Sequence, residues 1–310
     1  MLAFIKSIRP LNLGIVYLTQ VAFYYLFFLA VPWIEPTGNC WMQLNLGSLY
    51  IHFFAFVTVI IAASGYLIND YFDFESDLLN QKTNRLSSRT TYLSAYWVSN
   101  VIGFLLALYL ARTNGQLYLA GIYIAAVAAL FLYSAVWKKK VLIGNVVVAL
   151  FSAFVVVILI YAEKEYLFDL ETNTCRRPGI STIQLMLLYS GFIFLISMVR
   201  EIVKDIEDVN GDAQLGYCTL PIVYGCKAAR MIAVIFSIGL LTLLAYWALV
   251  MKANAALLAM VYLILLVVLP LIYLIFYLMY YSTDFNAAFA SKYCKFIMLS
   301  GLGFIILSSL

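Results

Sequence analysis

Apolar residues in this chain neither alternate nor recur on a single helical face. They run in nine long windows separated by short polar connections. The windows cover roughly residues 11–32, 49–69, 92–111, 116–136, 141–162, 182–203, 229–250, 253–280 and 286–309. At 1.5 Å rise per residue, about 20 apolar residues cross the hydrocarbon of a bilayer. Inside lipid each backbone N–H and C=O must be satisfied within the segment, which selects helices. The pattern predicts an all-α integral membrane bundle of nine transmembrane helices, one membrane-embedded domain over 1–310. The first window runs for a full span without a small-residue cleavage site, so it reads as a span and not as a removable signal peptide.

Composition supports the same class. The chain is 65% hydrophobic and 11% charged, whereas soluble domains carry about 25% charged residues. No polar stretch is long enough to bury a core of its own. Charge adds the orientation. With the N-terminus inside, 14 of the 19 Lys and Arg residues fall on inner connections. Arg112, Lys164, Arg176, Arg177 and Lys252 fall on outer ones. The positive-inside rule then makes the N-terminus cytoplasmic, in an inner or cell membrane. Cations scattered through short loops argue against nucleic acid as a partner. The five cysteines form no CxxC pair or Cys/His cluster, which disfavours zinc and redox motifs. Cys40 and Cys175 both fall outside, where a disulfide between them could persist.

Two polar interruptions stand out. In "GYLINDYFDFESDLLNQKTNR" (65–85), Asn69, Asp73 and Asp77 lie at i, i+4 and i+8, one stripe of a helix leaving the membrane. In "MVREIVKDIEDVNGDAQLGYCTLPIVYG" (198–225), Glu201, Asp205, Asp208 and Asp212 again share a helix face. The two segments, 65–90 and 198–225, follow the second and sixth windows and so emerge on the same, cytoplasmic side. Cations border both: Lys82, Arg85 and Arg89 at the first, Arg200 and Lys204 at the second. Ionisable residues that begin inside an apolar span default to function. Facing carboxylates edged by cations suit Mg²⁺ with a polyphosphate, because Mg²⁺ takes one or two carboxylates plus substrate phosphates in preference to a full protein cage. Lys and Arg would take the remaining phosphate oxygens.

These residues resemble a known family. "NDYFDFESD" is similar to the first aspartate motif, NDxxDxxxD, of the UbiA superfamily of membrane prenyltransferases, and "KDIEDVNGDAQLGYCTLPIVYG" to its second. "IRPLNL" and "LYSAVWKKKVLIGNVVVAL" extend the likeness over most of the chain. The resemblance implies nine helices around a central cavity and Mg²⁺-dependent transfer of an isoprenoid chain from its diphosphate. It implies Asn69, Asp73, Asp77, Asp208 and Asp212 as metal and diphosphate ligands, with Asp70 and Asp205 as second choices. Arg85 or Arg89, Lys138 and Lys204 would neutralise the diphosphate. "NQKTNRLSSR" lacks the proline that many relatives carry after the first motif, so Arg85 and Arg89 both remain open.

Tyr133 is a candidate to face the allylic cation, against the alternative of a belt tyrosine at the membrane interface. Lys138, Lys139 and Lys140 suit a phosphate-bearing acceptor, or serve only to set topology. The motif wording is nearest the branch that prenylates geranylgeranylglyceryl phosphate with geranylgeranyl diphosphate. The alternatives are prenylation of an aromatic ring in quinone, chlorophyll or haem synthesis and, in another class, a cation transporter using membrane carboxylates. The transporter reading is weakened because the carboxylates cluster at helix ends beside cations that would repel a permeating metal. No role follows from the sequence for the outer segment 163–182.

Overall fold

The computed structural model describes residues 7–29, 44–79, 88–172, 181–251, 257–280 and 285–308. Among them nine helices are long and apolar enough to cross a membrane: Pro10–Phe28, Tyr50–Phe72, Arg89–Thr113, Tyr118–Lys139, Ile143–Ala162, Thr182–Glu207, Leu220–Val250, Leu257–Tyr280 and Ala287–Leu307. They are numbered here as the first to the ninth span. The described residues contain no β-strand.

Helix ends carry the expected signals. Pro10 opens the first span, where its missing N–H costs nothing. Ser88 caps the third by accepting from the Thr91 N–H at 3.3 Å. Ser181 and Gln184 close a reciprocal capping box on the sixth, at 3.1 and 3.2 Å. In the eighth span a π-helical turn, Ile264–Val268, lies just before Pro270. Pro270 has no N–H to give its helical partner carbonyl, and a wider turn absorbs the mismatch.

The seventh span departs from expectation. It begins at Leu220, not near residue 229, and bends at Gly225, whose φ of 84° and ψ of 155° break the helix. Lys227 and Arg230, at the start of the apolar window in the sequence, lie within the helix. Arg230 is buried, with its guanidinium 5.2 Å from the centre of the Phe285 ring. A membrane-boundary helix can carry such cations when the stem is covered by apolar groups.

Two spans organise the packing. The second lies against the first, third and fourth, and the sixth against the fifth, seventh and ninth. The sixth buries a larger share of its residues than any other span. These are the two spans that end in the acidic segments.

At the opposite end, Glu163 is fully buried and accepts the backbone N–H groups of Asn45 (2.8 Å) and Leu46 (2.7 Å). Asn45 and Gln116 both donate to the Ala162 carbonyl, at 3.1 and 2.8 Å. The outer segment without an expected role thus starts with a clasp on the entry to the second span, followed by the helix Lys164–Thr172. His52, at that same end, bonds Tyr17 (2.7 Å) and Tyr25 (3.2 Å). Cys40 and Cys175 lie outside the described residues, and so does any bond between them.

Candidate active site

Where the sequence predicts continuous acidic stripes, each helix breaks at an aspartate. The second span ends at Phe72; Asp73 sits at φ −83°, ψ 0°, and a short helix, Phe74–Leu79, resumes. The sixth ends at Glu207; Asp208 sits at φ −93°, ψ 1°, and Val209–Gln214 resumes. This sparsely allowed bridge region is one where active-site residues often lie. Each break keeps its backbone ladder: Asp73 N–H donates to the Asn69 carbonyl at 2.9 Å and Asp208 N–H to that of Lys204 at 3.0 Å. New helix N-termini begin beside Asp77 and Asp212, and the local dipole favours carboxylates there.

The two short helices pack together. Ser76 donates to Asp212 Oδ1 at 3.0 Å, joining the acidic segments directly. Asn69 Nδ2 donates to Asp73 Oδ2 at 2.7 Å, and Lys138 pairs with the same carboxylate. Lys138 rides on the turn Trp137–Lys139 that ends the fourth span. That turn can lie flush on the fifth span because residue 144 is glycine: a Cβ there would stand 2.8 Å from Lys138 Cα. On its other side, the Cys218 N–H donates to the Lys139 carbonyl at 2.9 Å, and Lys139 Nζ lies 5.2 Å from the Tyr217 ring centre. Three connections therefore converge on one point.

Most of the other expected residues gather here. Asp205 Oδ2 accepts from Asn145 Nδ2 at 2.8 Å. Asp70 pairs with Arg9 at 3.1 Å. Tyr133 is buried within electrostatic reach of Lys138, Glu201, Asp73 and Asp205. Lys204 lies within reach of Glu201, Arg9, Lys138 and Asp208. Burial pushes the Asp212 carboxyl up from its ordinary value, against the pull of Lys138 and Ser76. Arg89 stands apart: it is exposed, 3.7 Å from Glu75, with its guanidinium over the Tyr71 ring. Arg85 lies outside the described residues.

Sequence reasoning missed Ser76 and Asn145, gave Arg9 no role, and named Arg200 and Glu201 without pairing them. Asn145 gave one signal, a lone amide in the apolar run "LIGNVVVAL". Ser76 gave none.

The donor set accommodates a divalent cation. Asn69 Oδ1 and Asp73 Oδ1 are buried acceptors with no hydrogen-bond partner among the described residues. Such oxygens are costly to leave unpaired. Those same residues contain no group of three or more His, Cys, Asp or Glu able to cage a metal alone. A hard cation that keeps positions for substrate phosphate fits both facts.

The family described as the UbiA prenyltransferase family matches residues 21–300. The chain belongs to it. Among curated relatives, the digeranylgeranylglyceryl phosphate synthase of Pyrococcus abyssi (strain GE5 / Orsay) is 30% identical over 247 residues, covering 78% of this chain and 75% of that protein. The synthase of the same name from Methanosphaera stadtmanae is 30% identical over 243 residues, covering 76% and 74%. A solved structure described as that of digeranylgeranylglyceryl phosphate synthase in membranes superposes with a TM-score of 0.59 at 21% identity, over 99% of this chain and 97% of that one. At that identity the likeness concerns the fold. As a UbiA-family protein this chain is a multi-pass membrane prenyltransferase.

Proposed function

We propose that this protein transfers a geranylgeranyl group from its diphosphate to geranylgeranylglyceryl phosphate, an ether-forming step of lipid synthesis, at the cytoplasmic side of the membrane. The observation that carries the reading is the junction of two broken acidic helices, Ser76 on Asp212 and Lys138 on Asp73. The choice of acceptor is supported by the names of the relatives. The side is supported by the excess of Lys and Arg on the inner connections.

An allylic diphosphate ionises when stabilising charge is in place before the bond breaks. Asn69, Asp73 and Asp77 from one break, with Asp208 and Asp212 from the other, would hold Mg²⁺, and Asp70 and Asp205 back them. Bound there, Mg²⁺ supplies Lewis-acid charge to the diphosphate oxygens. Lys138 and Lys204 take further oxygens, joined by Arg85 from the connection after the first break or by Arg89 at the start of the third span. The face of Tyr133 stabilises the allylic cation by about 0.5–2 kcal/mol. Surrounding spans keep water from that cation until the acceptor hydroxyl captures it.

The test is an assay of purified protein with labelled geranylgeranyl diphosphate and a panel of acceptors. Asp73→Ala and Asp208→Ala should each lower kcat by about 100-fold or more, the scale of losing one preorganised electrostatic contact, with unchanged gel-filtration behaviour. EDTA should stop turnover and added Mg²⁺ should restore it. Full activity in either variant, or in excess chelator, would refute the site.

A further inference from the structure

Beside the carboxylate junction lies a second cluster, of opposite sign, of which the diphosphate chemistry above uses only Lys204. Arg200 and Glu201 form an ion pair on the sixth span, and Lys204 follows one turn later. Lys295, on the ninth span, lies within electrostatic reach of Arg200, Arg9, Lys204 and Glu201. The sixth and ninth spans pack along each other. Arg200 precedes the end of the sixth span, and Lys295 follows the start of the ninth, by seven or eight residues. At 1.5 Å per residue both lie about 10–12 Å inside the bundle end. Arg9 completes the set from the first span.

Cations this deep in an apolar bundle are expensive. Asp70 pairs with Arg9 and Glu201 with Arg200, and Lys204 and Lys295 add two further positive charges to the cluster. Arg200 Nε is buried and has no hydrogen-bond partner among the described residues. Arg9 holds a left-handed backbone, φ 55° and ψ 63°, directly before Pro10. That conformation costs a non-glycine residue about 1–2 kcal/mol, and such strain persists where the surroundings fix a side chain for use. A phosphate monoester carries about −1.5 to −2 charges and three acceptor oxygens, which matches both the excess charge and the spare donor.

We propose that Arg200, Lys204, Lys295 and Arg9 form a subsite for the phosphate monoester of the acceptor lipid, distinct from the diphosphate site, and that it sets the preference for phosphate-bearing over neutral acceptors. This rests on the functional reading above, which names a phosphorylated acceptor. Lys204, in reach of Asp208 as well as Glu201, borders both subsites. A phosphate held by the sixth and ninth spans leaves the glycerol hydroxyl free to approach the prenyl carbon below the diphosphate. Diphosphate departs with the bonding pair, the hydroxyl oxygen bonds to the allylic carbon, and the hydroxyl proton passes to the departed diphosphate.

The experiment compares geranylgeranylglyceryl phosphate with geranylgeranylglycerol as acceptors in wild type, Lys295→Gln, Lys295→Arg and Arg200→Lys. Lys295→Gln should raise KM for the phosphate acceptor about tenfold. Its KM for geranylgeranyl diphosphate and its rate on the neutral acceptor should stay within twofold. Lys295→Arg should restore most of the loss, and Arg200→Lys, which keeps the charge but not the fork, should lose part of the preference. If Lys295→Gln does not fold, retained preference in Arg200→Lys would overturn the proposal. An unchanged KM in folded Lys295→Gln, or a rise confined to geranylgeranyl diphosphate, would overturn the subsite alone. A wild type inactive on both acceptors would overturn the functional reading and the subsite with it.

Discussion

Buried carboxylates in this protein keep two kinds of company. Asp73 has Lys138 and an amide; Glu163 has only backbone N–H groups. Burial therefore raises the Glu163 pKa from 4.5 to about 7, although the two N–H bonds oppose it. A folded-state value above the unfolded one means the folded chain binds the proton more tightly. The stabilisation is fully present below about 4.5 and is lost as pH rises through about 7. Thermal unfolding in detergent should accordingly shift to lower temperature between pH 5 and 8, and Glu163→Gln should flatten that dependence. The variant should also cost about 1–3 kcal/mol, because an amide offers one acceptor where two N–H groups need one each. A wild-type midpoint that rises over this range would contradict the assignment. Glu163 was illegible in the sequence, standing among other polar residues of an outer connection. Asn69, Asp73 and Asp208 were legible because each adjoins an apolar span, where an unpaired polar group has no solvent to satisfy it.

Helices were read from their windows to within a few residues, the start of the seventh span apart, but breaks within helices were not. Apolar length selects a helix yet says nothing about where its axis turns, so Asp73, Asp208 and Gly225 gave no warning. The short helices that follow Asp73 and Asp208 pack together, and there Ser76 reaches Asp212. Gly144 is the comparable device for the cationic side. Alanine there would bring its Cβ to 2.8 Å from Lys138 Cα and 3.3 Å from the Trp137 carbonyl oxygen. Backbone cannot yield as a flexible side chain can, so the Trp137–Lys139 turn must lift and carry Lys138 away from Asp73. Overpacking of this kind costs about 1–3 kcal/mol. Gly144→Ala should lower kcat about tenfold or more while the protein remains folded and membrane-inserted. Wild-type kcat would mean that the seating of this turn does not matter to catalysis.

At the scale of the whole molecule, the second and sixth spans each gather neighbours and each end in an acidic break, so one end of the bundle holds carboxylates and cations while the other holds the Glu163 clasp. Charge bias in the connections is the ground on which the site end is proposed to be cytoplasmic. Cysteine positions allow that orientation to be measured. Cys218 and Cys226 are exposed at the site end, and Cys294 is buried. Cys40 and Cys175 belong to connections after the first and fifth spans, on the opposite side by alternation. In a Cys40→Ser/Cys175→Ser background, a membrane-impermeant maleimide added to intact cells should leave the protein unlabelled. Permeabilisation should then expose Cys218 and Cys226, and the mass should rise by up to two adducts. Labelling of these two before permeabilisation would invert the bundle. The diphosphate would then have to be supplied from outside the cell, where no cytoplasmic pool of isoprenoid diphosphate could reach it, so the orientation and the proposed cytoplasmic chemistry stand or fall together.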